Sequence, residues 1–112
     1  MKKIEALLGP LMLEDLKRAL GEVGIQEVTA AIVKNFGSGN PHIEQYRGIE
    51  LRSEFLPQVK AECVVSDADC PRALEAIRIV VKRDRFHDVS VTVLPCEEIF
   101  CIRTGEIAVA VA

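Results

Sequence analysis

Two helical stripes, each set between strand-like runs, constrain this chain more than any other feature. Leu13, Leu16, Leu20 and Val23 recur at helical spacing, with Glu14, Lys17, Arg18 and Glu22 on the opposite face. Leu74, Ile77 and Val81 repeat the pattern, with Ala73 and Val80 beside them. Residues 3–8 before the first stripe and 28–34 after it are short apolar or β-branched runs. Residues 59–66 precede the second stripe. After it, Val89, Val91 and Val93 alternate with Ser90 and Thr92. The order is strand, helix, strand, strand, helix, strand. It predicts an α+β, ferredoxin-like βαββαβ unit: an antiparallel sheet with both helices on one face. The uncovered face must meet something, and the pattern leaves valines and isoleucines free for it.

The punctuation agrees with this order. Pro10 breaks the first strand and Gly24 caps the first helix. Asp67, Asp69 and Pro71 mark the start of the second helix, with Pro71 at its first position. Lys82, Arg83 and Arg85 close that helix with positive charge, as the macrodipole favours. Pro95 ends the fourth strand; residues 98–103 read as a short last strand, and 107–112 as a small apolar tail. Residues 35–42 are turn chemistry and 44–54 stay polar. So long an excursion in a small domain points to function or disorder.

A chain of 112 residues suits one domain, spanning 1–112. Aromatics are 4% with no tryptophan, so the core falls to Val, Ile, Leu and Ala. A chain this small buries a limited fraction of its surface, which points to an oligomer. A net charge of -3 with 28% charged residues excludes a disordered acidic tail and a broadly basic nucleic-acid binder. No segment approaches the roughly 20 apolar residues of a membrane span. The apolar stretch after the charged start stops at Gly9-Pro10, so neither membrane insertion nor a secretory signal is expected. Cytoplasmic residence is the default expectation.

Four cysteines, Cys63, Cys70, Cys96 and Cys101, form no C-x-x-C pair and are expected as reduced thiols. Cys63, on a central strand, reads as a small buried hydrophobe. The odd spacing of Cys96 and Cys101 puts them on opposite sides of a regular strand, against a direct bridge. A sharper reading makes Cys101 redox- or metal-responsive with Cys96 or His87, although no ligand set has metal-like spacing. Gly37-Ser38-Gly39 is either a loop hinge or a ligand contact, since it lacks a third glycine and opens no helix. Arg103 is either a surface partner of Glu98 or Glu106, or a ligand contact. The run at Lys82, Arg83 and Arg85 favours a solvated helix cap over an anion site. No nucleophile–base pair and no carboxylate pair stands in an identifiable pocket, so no catalytic residues are predicted.

Several stretches carry a resemblance: residues 1–6, 19–25, Val33-Lys34, Phe36-Gly37, Tyr46-Arg47-Gly48, Phe55-Leu56-Pro57, Val59-Lys60 and Ile102-Arg103-Thr104-Gly105-Glu106. In this register the chain resembles the PII signal-transduction family along its whole length. The resemblance implies a trimer of ferredoxin-like subunits and no enzymatic activity. It implies adenine-nucleotide sites in clefts between subunits, with Thr29, Gly37, Ser38, Glu62, Val64, His87 and Arg103 at nucleotide-lining positions. It also implies a long T-loop at about 37–55 that docks onto a protein target, with Tyr46, Arg47, Glu50 and Arg52 as docking residues.

The departures from the family pattern fall on charge. The loop that holds ATP in family members reads Phe86-His87-Asp88-Val89-Ser90 here, without its two glycines and with Ser90 in place of a lysine. A phosphate cradle needs open backbone N–H groups and a nearby cation. Cys101 and Ser38 each stand where the family carries an arginine, while Arg103 remains. Each lost charge-assisted bond removes about 1.5–3 kcal/mol unless replaced. Arg83, Arg85 and His87 are the candidates for partial compensation. ADP or AMP therefore suits the site better than ATP, and no further cofactor is required. Gly39 and Gln58 replace a glutamine and a lysine used for 2-oxoglutarate, so no response to that ligand is expected. Leu51 and Ile49 replace the tyrosine and serine that are modified in some members.

These readings converge on a cytoplasmic, trimeric PII-like sensor. It binds ADP or AMP, with a small anion such as bicarbonate as a second ligand. It controls a protein target, a transporter or a metabolic enzyme, through the T-loop. Two alternatives stand beside it: a structural trimer without ligand, and a redox- or metal-responsive adaptor built on Cys101 with His87 or Cys96.

Overall fold

The alternation in the first eight residues decides how the sheet is built. The computed structural model describes residues 1–34, 43–46, 49–52, 57–83 and 89–109. The elements run β1 (Lys2–Leu8), α1 (Leu13–Glu22), β2 (Thr29–Lys34), β3 (Ile43–Tyr46), β4 (Ile49–Arg52) and β5 (Pro57–Val65). They continue with α2 (Cys70–Val81), β6 (Ser90–Pro95), β7 (Glu98–Phe100) and β8 (Ile107–Val109). Four strands make one sheet in the order β2-β5-β1-β6. Every neighbouring pair in it is antiparallel. This is the ferredoxin-like arrangement that the sequence predicts.

Ile4, Ala6 and Leu8 of β1 and Ala61, Cys63 and Val65 of β5 point to the helix-covered face, where all six are buried. They meet Leu16 and Leu20 of α1 and Ala73, Ile77 and Val80 of α2 in one core. Fully burying a Leu or Ile contributes roughly 1.5–3 kcal/mol, so this layer dominates the stability. The buried stripe of α2 centres on Ala73, Ile77 and Val80, with Leu74 and Val81 as half-buried flanks, so it lies slightly round the helix from the spacing-based expectation.

Each helix starts and stops for a local reason. A 3-10 turn at Pro10–Met12 leads into α1, with Pro10 at its first position. At the other end Gly24 takes φ +90, a left-handed conformation that glycine adopts without a Cβ clash. Ile25 N–H donates to the Leu20 carbonyl at 2.9 Å and Gly24 N–H to that of Gly21 at 3.1 Å. That pair of bonds is the Schellman stop, completed by buried Ile25 against Leu20. Ahead of α2, Ser66 Oγ accepts from Asp69 N–H at 3.1 Å. The helix begins at Cys70, which makes Pro71 its second residue rather than its first.

Three expectations are corrected. The polar excursion is not only loop: β3 and β4 pair as an antiparallel hairpin within it. The last strand stops at Phe100 instead of residue 103, and Cys101 to Glu106 reverse the chain so that β8 pairs with β7. Gly105, at φ +73, donates to the Cys101 carbonyl at 2.8 Å and fixes that reversal. Nor is the uncovered face a field of valines and isoleucines. The register places Val91 opposite Ala6 and Val93 opposite Ile4, on the helix side. The uncovered face instead carries Lys3, Glu5, Lys60 and Glu62 at its centre, with Leu7, Val33, Val64 and Leu94 around them.

Candidate functional site

The Schellman stop of α1 releases the chain in a fixed direction. Gly24, Ile25, Gln26 and Glu27 then form one wall of a cleft of about 320 Å³. Val64, Val65 and Ser66 at the end of β5 form the other wall, with Asp69 beside them. Beyond Glu27 the chain enters β2, where Thr29 stands directly opposite Glu62. Glu62 and Val64 are two positions apart on β5 and share the uncovered face. Thr29, Glu62 and Val64, three of the residues predicted at the nucleotide site, are thus together at one corner of the sheet.

Glu62 is the best-defined group in that corner. One carboxylate oxygen lies 3.1 Å from Lys3 Nζ and the other 3.2 Å from Lys60 Nζ. Both lysines also reach Glu5, at 3.5 and 3.3 Å. The four side chains close a ring across β1 and β5. Hydrogen bonds from Lys3 and then Lys60 hold the Glu62 carboxyl below its ordinary value. The same contacts raise both lysines. At the mouth of the cleft, the Asp69 carboxyl is pulled down chiefly by its hydrogen bond from Arg72, with Ser66 second.

The other predicted positions are placed separately. Arg103 lies exposed in the turn between β7 and β8, and pairs with neither Glu98 nor Glu106. Gly37, Ser38, His87 and Arg47 lie outside the described residues. Tyr46, Glu50 and Arg52 belong to the β3–β4 hairpin. All four cysteines are free thiols: Cys63 and Cys70 buried, Cys96 half-buried and Cys101 exposed. Cys96 Sγ lies 3.8 Å from the Glu98 carbonyl. The Cys101 thiol is held below its ordinary value by the Thr104 hydroxyl, then by backbone donors of Thr104 and Arg103. Burial pushes Cys63 up. Among the described residues, no group of three or more His, Cys, Asp or Glu side chains is placed to hold a metal. No helix among them is long and apolar enough to cross a membrane.

A larger groove of about 580 Å³ runs between α1 and α2, floored by Ala19, Val23, Ala76, Ile79 and Val80. Arg83, a candidate for replacing lost phosphate partners, lines it, whereas Thr29, Glu62, Val64 and Arg103 do not.

The sequence reading missed Lys3, Glu5 and Lys60 as neighbours of Glu62, and Gln26, Glu27, Ser66 and Asp69 as cleft residues. The alternating charges Lys3/Glu5 and Lys60/Glu62 are the available signal, and they become a ring only once β1 and β5 are set in antiparallel register.

A family described as "Nitrogen regulatory protein P-II" matches residues 1–106. The chain belongs to the P-II family. It is 46% identical over 106 residues to the nitrogen regulatory protein P-II of Azospirillum brasilense, covering 95% of each chain. The counterpart in Rhodospirillum rubrum is 45% identical over the same length and coverage. That of Pasteurella multocida is 41% identical. P-II proteins are regulatory signal transducers and not enzymes. They form homotrimers, respond to adenine nucleotides and act on protein targets.

Proposed function

We propose that this P-II protein is a sensor that binds ADP or AMP in preference to ATP in clefts between subunits. Its T-loop, which includes the β3–β4 hairpin, then engages a transporter or a metabolic enzyme. The observation that carries the reading is the corner where Thr29, Glu62 and Val64 meet beside the Gly24–Glu27 wall, which we read as one half of a nucleoside pocket. The preference for fewer phosphates rests on Ser38, Ser90 and Cys101, which bring no cation to the phosphate end. Gly37, Ser38, His87 and Arg103 complete the site in this reading, and a small anion such as bicarbonate is the second ligand. Gln58 is buried and neutral where a lysine serves 2-oxoglutarate in the family, so no response to that ligand is expected. Calorimetry of the full chain against ATP, ADP, AMP, bicarbonate and 2-oxoglutarate tests the ligand part of this reading. The expected order is AMP and ADP tighter than ATP, with bicarbonate bound and no heat from 2-oxoglutarate. ATP binding tightest would sink the preference, and no adenine nucleotide binding would sink the sensor.

One observation favours a redox reading alongside it. Cys101 is exposed and its thiolate is stabilised by the Thr104 hydroxyl. Removing that hydroxyl with Thr104→Val should slow alkylation of Cys101 near neutral pH, because less thiolate is present. An unchanged alkylation rate in the variant would rule out a poised thiol.

A further inference from the structure

Glu62 has four lone-pair positions on its carboxylate, as any ionised glutamate does. Lys3 takes one on one oxygen, at 3.1 Å, and Lys60 takes one on the other, at 3.2 Å. One acceptor position remains on each oxygen. The ring is closed on its far side by Glu5, which holds both ammonium groups at 3.5 and 3.3 Å. Each ammonium is thus shared between the two carboxylates. Contact at both of its oxygens restricts how the Glu62 carboxylate can turn. Across the strand pair, Thr29 stands directly opposite Glu62 in the register.

We infer that Lys3 and Lys60 are positioning residues of the nucleotide site: they aim the Glu62 carboxylate at hydroxyl or amine donors of the bound nucleoside. This rests on the proposed function, because it takes the Glu62 corner as the ligand site. The lysines need not touch the ligand. Their work is done before it arrives, by removing the rotational freedom that Glu62 would otherwise lose on binding. They also keep the acceptor ionised, so that donors from the ligand form charge-assisted bonds. The charged groups facing Glu62 among the described residues are Lys3 and Glu5 from β1 and Lys60 from β5. The facing residue of β2, Thr29, is neutral.

The test is AMP and ADP affinity of the full chain, measured from about pH 7.5 to about pH 4. Wild type, Lys60→Gln, Lys3→Gln and Lys60→Arg are compared, with oligomeric state recorded by light scattering. Lys60→Gln and Lys3→Gln are expected to weaken binding roughly tenfold near neutral pH. Relative to wild type they should weaken it further toward the acid end, because Glu62 with one lysine gone titrates nearer the ordinary glutamate value. The ligand's own phosphate titration, at about pH 6, is common to every variant and cancels in that ratio. Lys60→Arg should restore both the affinity and the wild-type profile, which a merely structural defect would not predict. Glutamine variants that match wild type at every pH overturn the inference. A variant that alters assembly is replaced by a second measurement, the carboxyl-carbon NMR titration of Glu62 in the wild-type protein. Titration below the ordinary glutamate value supports the lysine clamp, and titration at that value overturns it. If wild type binds no nucleotide, the sensor reading fails by itself, and the Glu62 titration still decides whether the clamp exists.

Discussion

The two faces of the central sheet are made by the same strands and held by different physics. On the covered face Ile4, Ala6 and Leu8 meet Ala61, Cys63 and Val65, and water is gone. On the open face, one residue out of step, Lys3 and Glu5 meet Lys60 and Glu62 in a ring of charges. The covered face earns its stability from area and close packing, which depend little on pH or salt. The open face gains little from its ion pairs while it faces water, since exposed pairs contribute about 0–1 kcal/mol. What the ring supplies is direction: it sets where one carboxylate points. Stability and the proposed recognition are thus separated by a single-residue alternation.

The contrast can be broken most heavily from the covered side. Leu8 is fully buried at 0% exposure, and Leu8→Ala should cost about 2–5 kcal/mol in urea unfolding. A loss under about 1 kcal/mol would mean that the core is not the stabilising layer described here. Next comes the stop of α1. A Cβ on Gly24 would meet nothing within 4 Å, so Gly24→Ala isolates the strain of φ +90. It should cost about 1–2 kcal/mol, and an unchanged midpoint would show that the left-handed turn is not held in solution. The smallest effect belongs to the open face. The lysines lower the Glu62 value, so the ring stabilises the fold above the ordinary glutamate value of 4.5. That contribution is lost as the pH falls through the lowered value. The wild-type urea midpoint should therefore drop more steeply on the acid side than that of Glu62→Gln. Parallel curves would leave the ring without a role in acid stability.

How far the sequence could be read follows the same division. Alternation in residues 3–8, the Leu16/Leu20 spacing and Gly24 are local patterns, and each became the predicted element. The centre of α2 shifted to Ala73, Ile77 and Val80 because small Ala73 lets the helix approach the sheet, while bulkier Leu74 and Val81 serve as flanks. The turn after Phe100 is hidden for another reason: Arg103-Thr104-Gly105-Glu106 matches the family pattern, although Thr-Gly is also turn chemistry. At the site, Thr29, Glu62 and Val64 were legible through the resemblance. The lysine ring was not, because it exists only after two strands more than fifty residues apart come into register. Gln26, Glu27, Ser66 and Asp69 escaped for the same reason, as two loop ends meeting across a sheet edge.

The helix stop at Gly24 and Ile25 reaches further than α1. Ile25 is both the buried anchor of that stop and a residue of the cleft wall. The wall is therefore bolted to the core before any ligand enters. Ligand binding on this side should give a small heat-capacity change, because little chain remains to be ordered. Any large thermal signature of binding must then come from elsewhere in the assembly, and its size would measure how far the response travels from the pocket.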